Sequence, residues 1–383
     1  MAMSLSHVSS RWRAVALGCS RLWSELYLTS PSQAPLLALF GHRSKTHGYN
    51  LSLEFELSSN DASVASGPAL CSDETVEITT ELAGQISSIQ LRDFRALECT
   101  WISDAAWELL RPRFVMFGTS TTESDELPVQ ANRWLYKTQA LHLSGVRIGA
   151  PVSPLFQLDT FQFSIGNGPM FWQTLRNAPM PALRGLMLAS IIHLTIMQPP
   201  STSPITLSHL ETIEVQYCDS LPGAGLVTPN LRVLSIRLES IGRFGATEIL
   251  RMVYRNPRLE VIKLSTHDPE SLIRVLRSAP NSNANDSIVQ SAPCLISLHL
   301  MVEDLDARYY PGGPKHEEMA SQLRDTLEPY LAPSVSAVSQ RPTDGCQLES
   351  LRIPNGLVGE FREWYESRVK DFRVTDGYVL DDD

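Results

Sequence analysis

His316-Glu317-Glu318-Met319-Ala320 opens like the helix of a zinc protease, where two histidines four residues apart hold the metal and a glutamate acts as base. Position 320 holds alanine, so the second ligand is missing. Gly166 with Gly168, and Gly223 with Gly225, begin like phosphate-cradling loops, but both lack the third glycine and the strand-to-helix setting that such a loop needs. No P-loop string and no nucleophile-elbow string occurs. The 9 histidines are dispersed, which favours surface or hydrogen-bonded core roles over metal ligation at any one of them. These residues predict a chain that is not an enzyme, with no catalytic residues, no metal and no cofactor.

Composition narrows the remaining classes. At 383 residues, with 43% hydrophobic residues, the chain is long enough for two domains or a repeat array and too apolar to be disordered. The formal charge of −10 argues against nucleic acid, because phosphate binding needs a basic face that displaces counterions. The 6 cysteines, at 19, 71, 99, 218, 294 and 346, never form CxxC and are far apart, which reads as reduced thiols in the cytoplasm or nucleus. Leu183 to Met197 is the most apolar stretch, and it is too short to span a membrane and is broken by Arg184 and His193.

One spacing recurs along the chain, and its copies must position whatever the protein binds. Apolar residues stand at i, i+3 and i+5 in Ile86, Ile89, Leu91; Leu158, Phe161, Phe163; Leu183, Leu186, Leu188; and Leu210, Ile213, Val215. The spacing returns in Leu231, Leu234, Ile236; Leu259, Ile262, Leu264; Leu295, Leu298, Leu300; and Leu348, Leu351, Ile353. Leu141 and Leu143 make a ninth copy with Thr138 in the first slot. In a strand, i+3 and i+5 share a face, and the earlier apolar residue anchors the turn that enters it. A lone strand of this kind cannot bury its apolar row, whereas stacked copies can.

Helical signals fill several intervals. Asp268-Pro269-Glu270 supplies an N-cap, a first-turn proline and an acid at the positive end of a helix, and Leu272, Ile273 and Leu276 form its apolar stripe. Ile249, Leu250 and Val253 precede Asn256-Pro257, and Trp172 and Leu175 precede Ala178-Pro179, so each helix stops at a proline before a strand. A further helix is predicted over Lys315–Leu331, within an insertion at 305–343, and a second insertion lies at 280–292.

From Val76 to Gly356 this pattern resembles the leucine-rich-repeat family, whose copies recur at about this interval of 20 to 28 residues. The resemblance implies an α/β fold: an irregular leucine-rich-repeat solenoid, with a curved parallel sheet and helices on the convex side. The family places Asn or Cys at i+8; only Cys218 fits, while Gly166, Ile191, Glu239, His267 and Glu303 depart from it. An irregular array is therefore expected.

Leu5, Val8, Trp12 and Val15 give one apolar helical face, Gly18 a stop, and Arg21-Leu22-Trp23 with Leu26 and Leu28 a second short element. This run resembles the second half of an F-box as found in fungal F-box proteins, with Val8, Trp12, Arg13, Leu22 and Trp23 at the matching positions. The resemblance implies binding of a Skp-family adaptor and the role of substrate receptor in a Skp–cullin–F-box ubiquitin ligase. The first half of an F-box would precede Met1, so weak adaptor capture is expected of these residues alone. Two other readings compete. Trp12 and Trp23 can instead cap the first repeat of a stand-alone scaffold. The basic, serine-rich start, with no acid before Glu25, also suits a mitochondrial presequence, although the two tryptophans fit that poorly.

The expected organisation is a partial F-box-like helix pair at 1–28, an irregular connector at 29–75, the array at 76–357, and a C-terminal helix with an acidic tail at 358–383. With i+3 and i+5 inward, i+2, i+4 and i+6 face outward along the concave side. Those positions hold Arg92, His142, Gln162, Glu214, Gln216, Arg237, Lys263, His299 and Arg352. A long polar surface of mixed sign suits a protein target better than a small molecule, which prefers a closed apolar pocket.

Overall fold

Nine buried triplets at one spacing require a sheet whose strands follow one another, and the computed structural model contains it. It describes residues 9–28, 35–45, 51–56, 83–84, 86–92, 109–119, 125–127, 132–194, 203–222, 225–238, 243–277, 292–302, 314–328, 331 and 348–375. Two compact units, residues 1–182 and 183–383, are taken in turn.

In the first unit the elements are α1 (Ser10–Gly18), β1 (Glu25–Leu28), α2 (Pro35–Lys45), β2 (Leu51–Glu56), β3 (Ile86–Arg92), β4 (Phe114–Gly118) and β5 (Asp125–Glu126). There follow α3 (Asn132–Leu135), β6 (Ala140–Ser144), β7 (Val146–Arg147), β8 (Thr160–Asn167) and α4 (Gly168–Asn177). Strands β1, β2, β3, β4, β6 and β8 pair in that order, every pair parallel. The short β5 and β7 form a separate parallel pair.

The second unit holds β9 (Gly185–Ile192), β10 (Ile205–Thr206), β11 (Thr212–Gln216), β12 (Leu226–Val227), β13 (Val233–Leu238), α5 (Arg243–Arg255) and β14 (Val261–Thr266). It continues with α6 (Pro269–Arg277), β15 (Ser297–Val302), α7 (Pro314–Leu327), β16 (Ser350–Pro354), α8 (Asn355–Val358), α9 (Arg362–Glu366) and β17 (Asp371–Thr375). Here β9, β11, β13, β14, β15, β16 and β17 pair in chain order, again all parallel. β10 pairs with β12.

The register turns the repeated triplets into continuous ladders. Leu186, Ile213, Leu234, Ile262, Leu298 and Leu351 stand side by side on six neighbouring strands, and all are buried. Leu188, Val215, Ile236, Leu264 and Leu300 form the i+5 ladder beside them. The first-slot residues, from Leu183 to Leu348, are buried as well, so the entry turns belong to the core. Thr138 keeps this slot without an apolar side chain because its buried hydroxyl donates to the Trp134 carbonyl, 2.9 Å away.

Four copies, two in each unit, leave their strands through one backbone device. Gly145, Ile165, Ser190 and Tyr217 all occupy i+7 of their copies, and all have φ between 49° and 69°. Glycine meets this left-handed requirement without cost, whereas the other three side chains crowd their own carbonyls. Cys218 follows at i+8, buried, with its thiol donating to the Gln216 carbonyl at 3.4 Å. Burial pushes the thiol up to about 11.

The helices begin and end where their capping residues direct. Asp268 accepts from the Glu270 amide at 3.1 Å ahead of α6, whose Leu272, Ile273 and Leu276 are buried. Asn167 accepts from the Met170 amide at 3.1 Å to start α4, and Trp172 and Leu175 face its core side. In α5, Ile249, Leu250 and Val253 are buried ahead of Asn256. α7 stops at Leu327, short of the expected Leu331.

Two expected boundaries move. The supposedly irregular 29–75 contains α2 and β2, and β2 pairs with both β1 and β3. The sheet therefore starts before residue 76. The 358–383 segment is more than a helix and a tail: β17 extends the sheet beyond β16. Among the expected features, Leu5, Val8 and residues 280–291 lie outside the described residues.

Candidate functional site

Each strand presents its i+2, i+4 and i+6 residues away from the ladders, and the register decides which of them meet. In the second unit the i+4 row runs Met187, Glu214, Ser235, Lys263, His299, Arg352 and Arg373 across seven strands. The i+6 row runs Ala189, Gln216, Arg237, Ser265 and Met301. Six expected binding residues thus share one face: Glu214, Gln216, Arg237, Lys263, His299 and Arg352. All six are half-buried, because neighbouring side chains on a flat strand shield one another's stems.

Sign changes along this face. At the β11 end the Gln216 amide donates to Glu214 Oε1 at 2.6 Å, and the Arg237 guanidinium lies 4.7 Å above the Tyr217 ring. From β14 onward the row is basic. Lys263, His299 and Arg352 are adjacent on three strands spaced by about 4.8 Å. Arg373 follows on β17, donating to Asp371 Oδ1 at 3.0 Å, and Asp371 Oδ2 accepts from the Ser350 hydroxyl at 3.3 Å. These bonds hold the Asp371 carboxyl below the usual range. His299 shares a 2.9 Å hydrogen bond with the Ser297 hydroxyl. Its burial, then the charges of Arg352 and Lys263, push it down to about 4.

In the first unit the corresponding row is Gln90, Met116, His142 and Gln162. His142 lies 2.8 Å from the Ser164 hydroxyl of the next strand, and burial alone lowers it to about 4. Arg92 stands at the end of β3. The neighbours of His142 in this row, Met116 and Gln162, are uncharged, while farther along Glu54 and Glu56 of β2 pair in register with Gln90 and Arg92.

The expected adaptor residues separate. Trp12, 51% exposed, and Arg13 lie on the open side of α1, where Val15 is also 52% exposed. Leu22 is half-buried. Trp23 turns inward and is 2% exposed. Its indole N–H donates to the Ala16 carbonyl at 2.6 Å, and its ring meets Phe40 edge-on at 5.1 Å. The described residues therefore bring Trp12 and Arg13 to one surface and keep Trp23 from it.

Three residues of the face escaped the sequence reading. Arg373 and Asp371 come from β17, whose Val369, Phe372 and Val374 carry the same i, i+3, i+5 spacing and offered the signal. Tyr217, at the strand exit, left no signal of this kind. The zinc-protease-like string falls on α7, with Glu317 and Glu318 exposed and Met319 and Ala320 buried. Among the described residues no group of three or more His, Cys, Asp or Glu is placed to hold a metal ion. Among them, too, no helix is long and apolar enough to cross a membrane. Compared with known proteins, the chain matches no family model and no curated protein.

Proposed function

We propose that this chain is a non-enzymatic protein-interaction module, an irregular leucine-rich-repeat solenoid whose sheet face holds a protein target. We further propose that it acts in the cytoplasm or nucleus as a substrate receptor of the F-box type, linked to a Skp–cullin ubiquitin ligase. The observation that carries the reading is the register: Glu214, Gln216, Arg237, Lys263, His299 and Arg352 form two rows on one open face above a continuous apolar ladder. Such a face is broad and polar, which suits a polypeptide. The exposed Trp12 and Val15 on α1 support a docking role for that helix, since aromatic anchors dominate such contacts.

A stand-alone scaffold is the second reading, favoured by the inward turn of Trp23. With Phe40 and Ala16 as its neighbours, this tryptophan is packed into the core of the first unit. Pull-down of a purified Skp-family adaptor by the full chain, beside its Trp12→Ala variant, separates the two. Capture lost by at least tenfold in the variant supports the receptor. No capture by either chain, while a target is still retained, leaves the scaffold.

A further inference from the structure

Several charges on the second unit are ion-paired, and two cations of its sheet face are not. Arg232 meets Glu260 at 3.2 Å, Arg362 meets Glu366 at 3.1 Å and Arg373 meets Asp371 at 3.0 Å. Lys263 and Arg352, on strands either side of β15, make no ion pair among the described residues, and the buried Nε of Arg352 has no hydrogen-bond partner. His299 lies between them. Arg237 stands one strand beyond Lys263, and Arg373 one strand beyond Arg352. Over these five strands the outward i+2, i+4 and i+6 positions of the paired registers hold four permanent cations, Arg237, Lys263, Arg352 and Arg373, against the single carboxylate of Asp371, which Arg373 and Ser350 already occupy. The chain carries a net −10, so a local excess of positive charge is the opposite of what its composition would scatter there.

Keeping like charges side by side at a half-buried face is costly unless a counter-charge arrives. We propose that the Lys263–His299–Arg352 row is the docking site for an extended segment of a partner protein carrying aspartates or glutamates at alternate positions. The proposal rests on the reading of the chain as a protein-interaction module and names the chemistry of its target. Geometry favours an extended acidic peptide: alternate side chains of a strand are about 6.7 Å apart, so three carboxylates span about 13 Å, close to the roughly 14 Å across the four strands from Lys263 to Arg373. Arg352 and Lys263 then gain charge-assisted hydrogen bonds, and His299 gains an anion beside it. The groups facing His299 are Lys263 from β14, Arg352 from β16, Asp371 and Arg373 from β17, and Ser297 from its own strand. An added carboxylate raises its pKa from about 4.

The test is fluorescence anisotropy with the full chain and a labelled decapeptide of alternating aspartate and serine. An asparagine–serine peptide and a single-stranded oligonucleotide of equal charge serve as comparisons. Expected are saturable binding of the aspartate peptide, none of the asparagine peptide, and at least tenfold weaker binding by the Lys263→Gln/Arg352→Gln variant. His299 resonances, followed by NMR, should titrate at least one unit higher with peptide bound, while His142 in the first unit stays where it is. Equal or tighter binding of the oligonucleotide would overturn the proposal in favour of a polyanion site. Peptide binding only after removal of residues 376–383 would overturn it in favour of the chain's own Asp381–Asp383. If targets co-purify with both the wild type and the double variant at equal occupancy, the acidic-segment assignment fails while the interaction-module reading stands. Loss of every target from the wild type itself is the separate failure of that reading.

Discussion

His142 and His299 occupy the same i+4 position in two copies of one repeat, one in each compact unit, and their surroundings differ. Both are held near pKa 4 and both lie beside a serine hydroxyl. His142 sits among Met116 and Gln162, and burial is the whole cause of its shift. His299 sits between Lys263 and Arg352, and charge adds to burial. The strand sets which way each ring points; the strands on either side decide what it can do. His142 has uncharged neighbours on both sides. His299 stands between Lys263 and Arg352, which make no ion pair among the described residues.

The strongest way to break this comparison is to remove the layer both faces stand on. Leu298→Ala beside His299 should cost about 2 to 5 kcal/mol of unfolding free energy, and Phe161→Ala on the strand next to His142 about 3 to 5 kcal/mol, because each leaves a cavity in a fully buried ladder. Chemical denaturation measures both. Stability unchanged in either variant would mean that the ladder is out of register at that strand.

Acid should expose the histidines next. Both are lowered from 6.5 to about 4, so between these values the unfolded chain binds more protons than the folded one. Stability is therefore complete above pH 6.5 and falls as the pH drops towards 4. The combined loss is about 1 to 3 kcal/mol once screening by the solvent that reaches both rings is allowed for. His142→Gln and His299→Gln should each flatten part of this slope in denaturation curves taken across the window. Replacing Lys263 and Arg352 should raise the pKa of His299 alone, since charge has no part in the His142 shift. Equal movement of both rings would contradict the distinction drawn between the two faces.

The smallest effect concerns the strand exits. A Cβ at Gly145 would lie 2.6 Å from Thr119 Cγ2 at a φ of 69°, so Gly145→Ala should destabilise by about 1 to 2 kcal/mol. Ile165 adopts a similar φ of 49° and is exposed, so Ile165→Gly should stabilise slightly or leave stability level, by about 0 to 1 kcal/mol. Thermal unfolding of the two variants, moving in opposite directions, checks that i+7 is a shared left-handed exit. Movement in the same direction would count against it.

Much of this was legible in single residues. Every apolar triplet recognised by spacing is buried, and the α6 cap at Asp268 and the α4 stop before Pro179 fall where their residue types place them. The misses have physical reasons. β4 puts Pro112 in the first slot and β2 puts Asn50 there, so the apolar count that marks a copy is incomplete although Val115, Phe117, Leu53 and Phe55 keep the register. β1 carries Trp23, Leu26 and Leu28 at the repeat spacing, but a tryptophan at a helix end also resembles a docking anchor. In β17, Val369, Phe372 and Val374 match fully, and proximity to an acidic run concealed them.

What the sequence by itself determined is the alternation: which residues enter the ladder and which leave it, because a strand's two-residue period is set by its own backbone. Tertiary structure alone decided adjacency. Lys263 and Arg352 are 89 positions apart in the chain and only two strands apart in the sheet, with His299 between them. Trp23 faces Ala16 and Phe40 because α1 and α2 close around it. Such neighbours are fixed by the register of distant strands and the packing of distant helices, and neither is encoded in any local spacing.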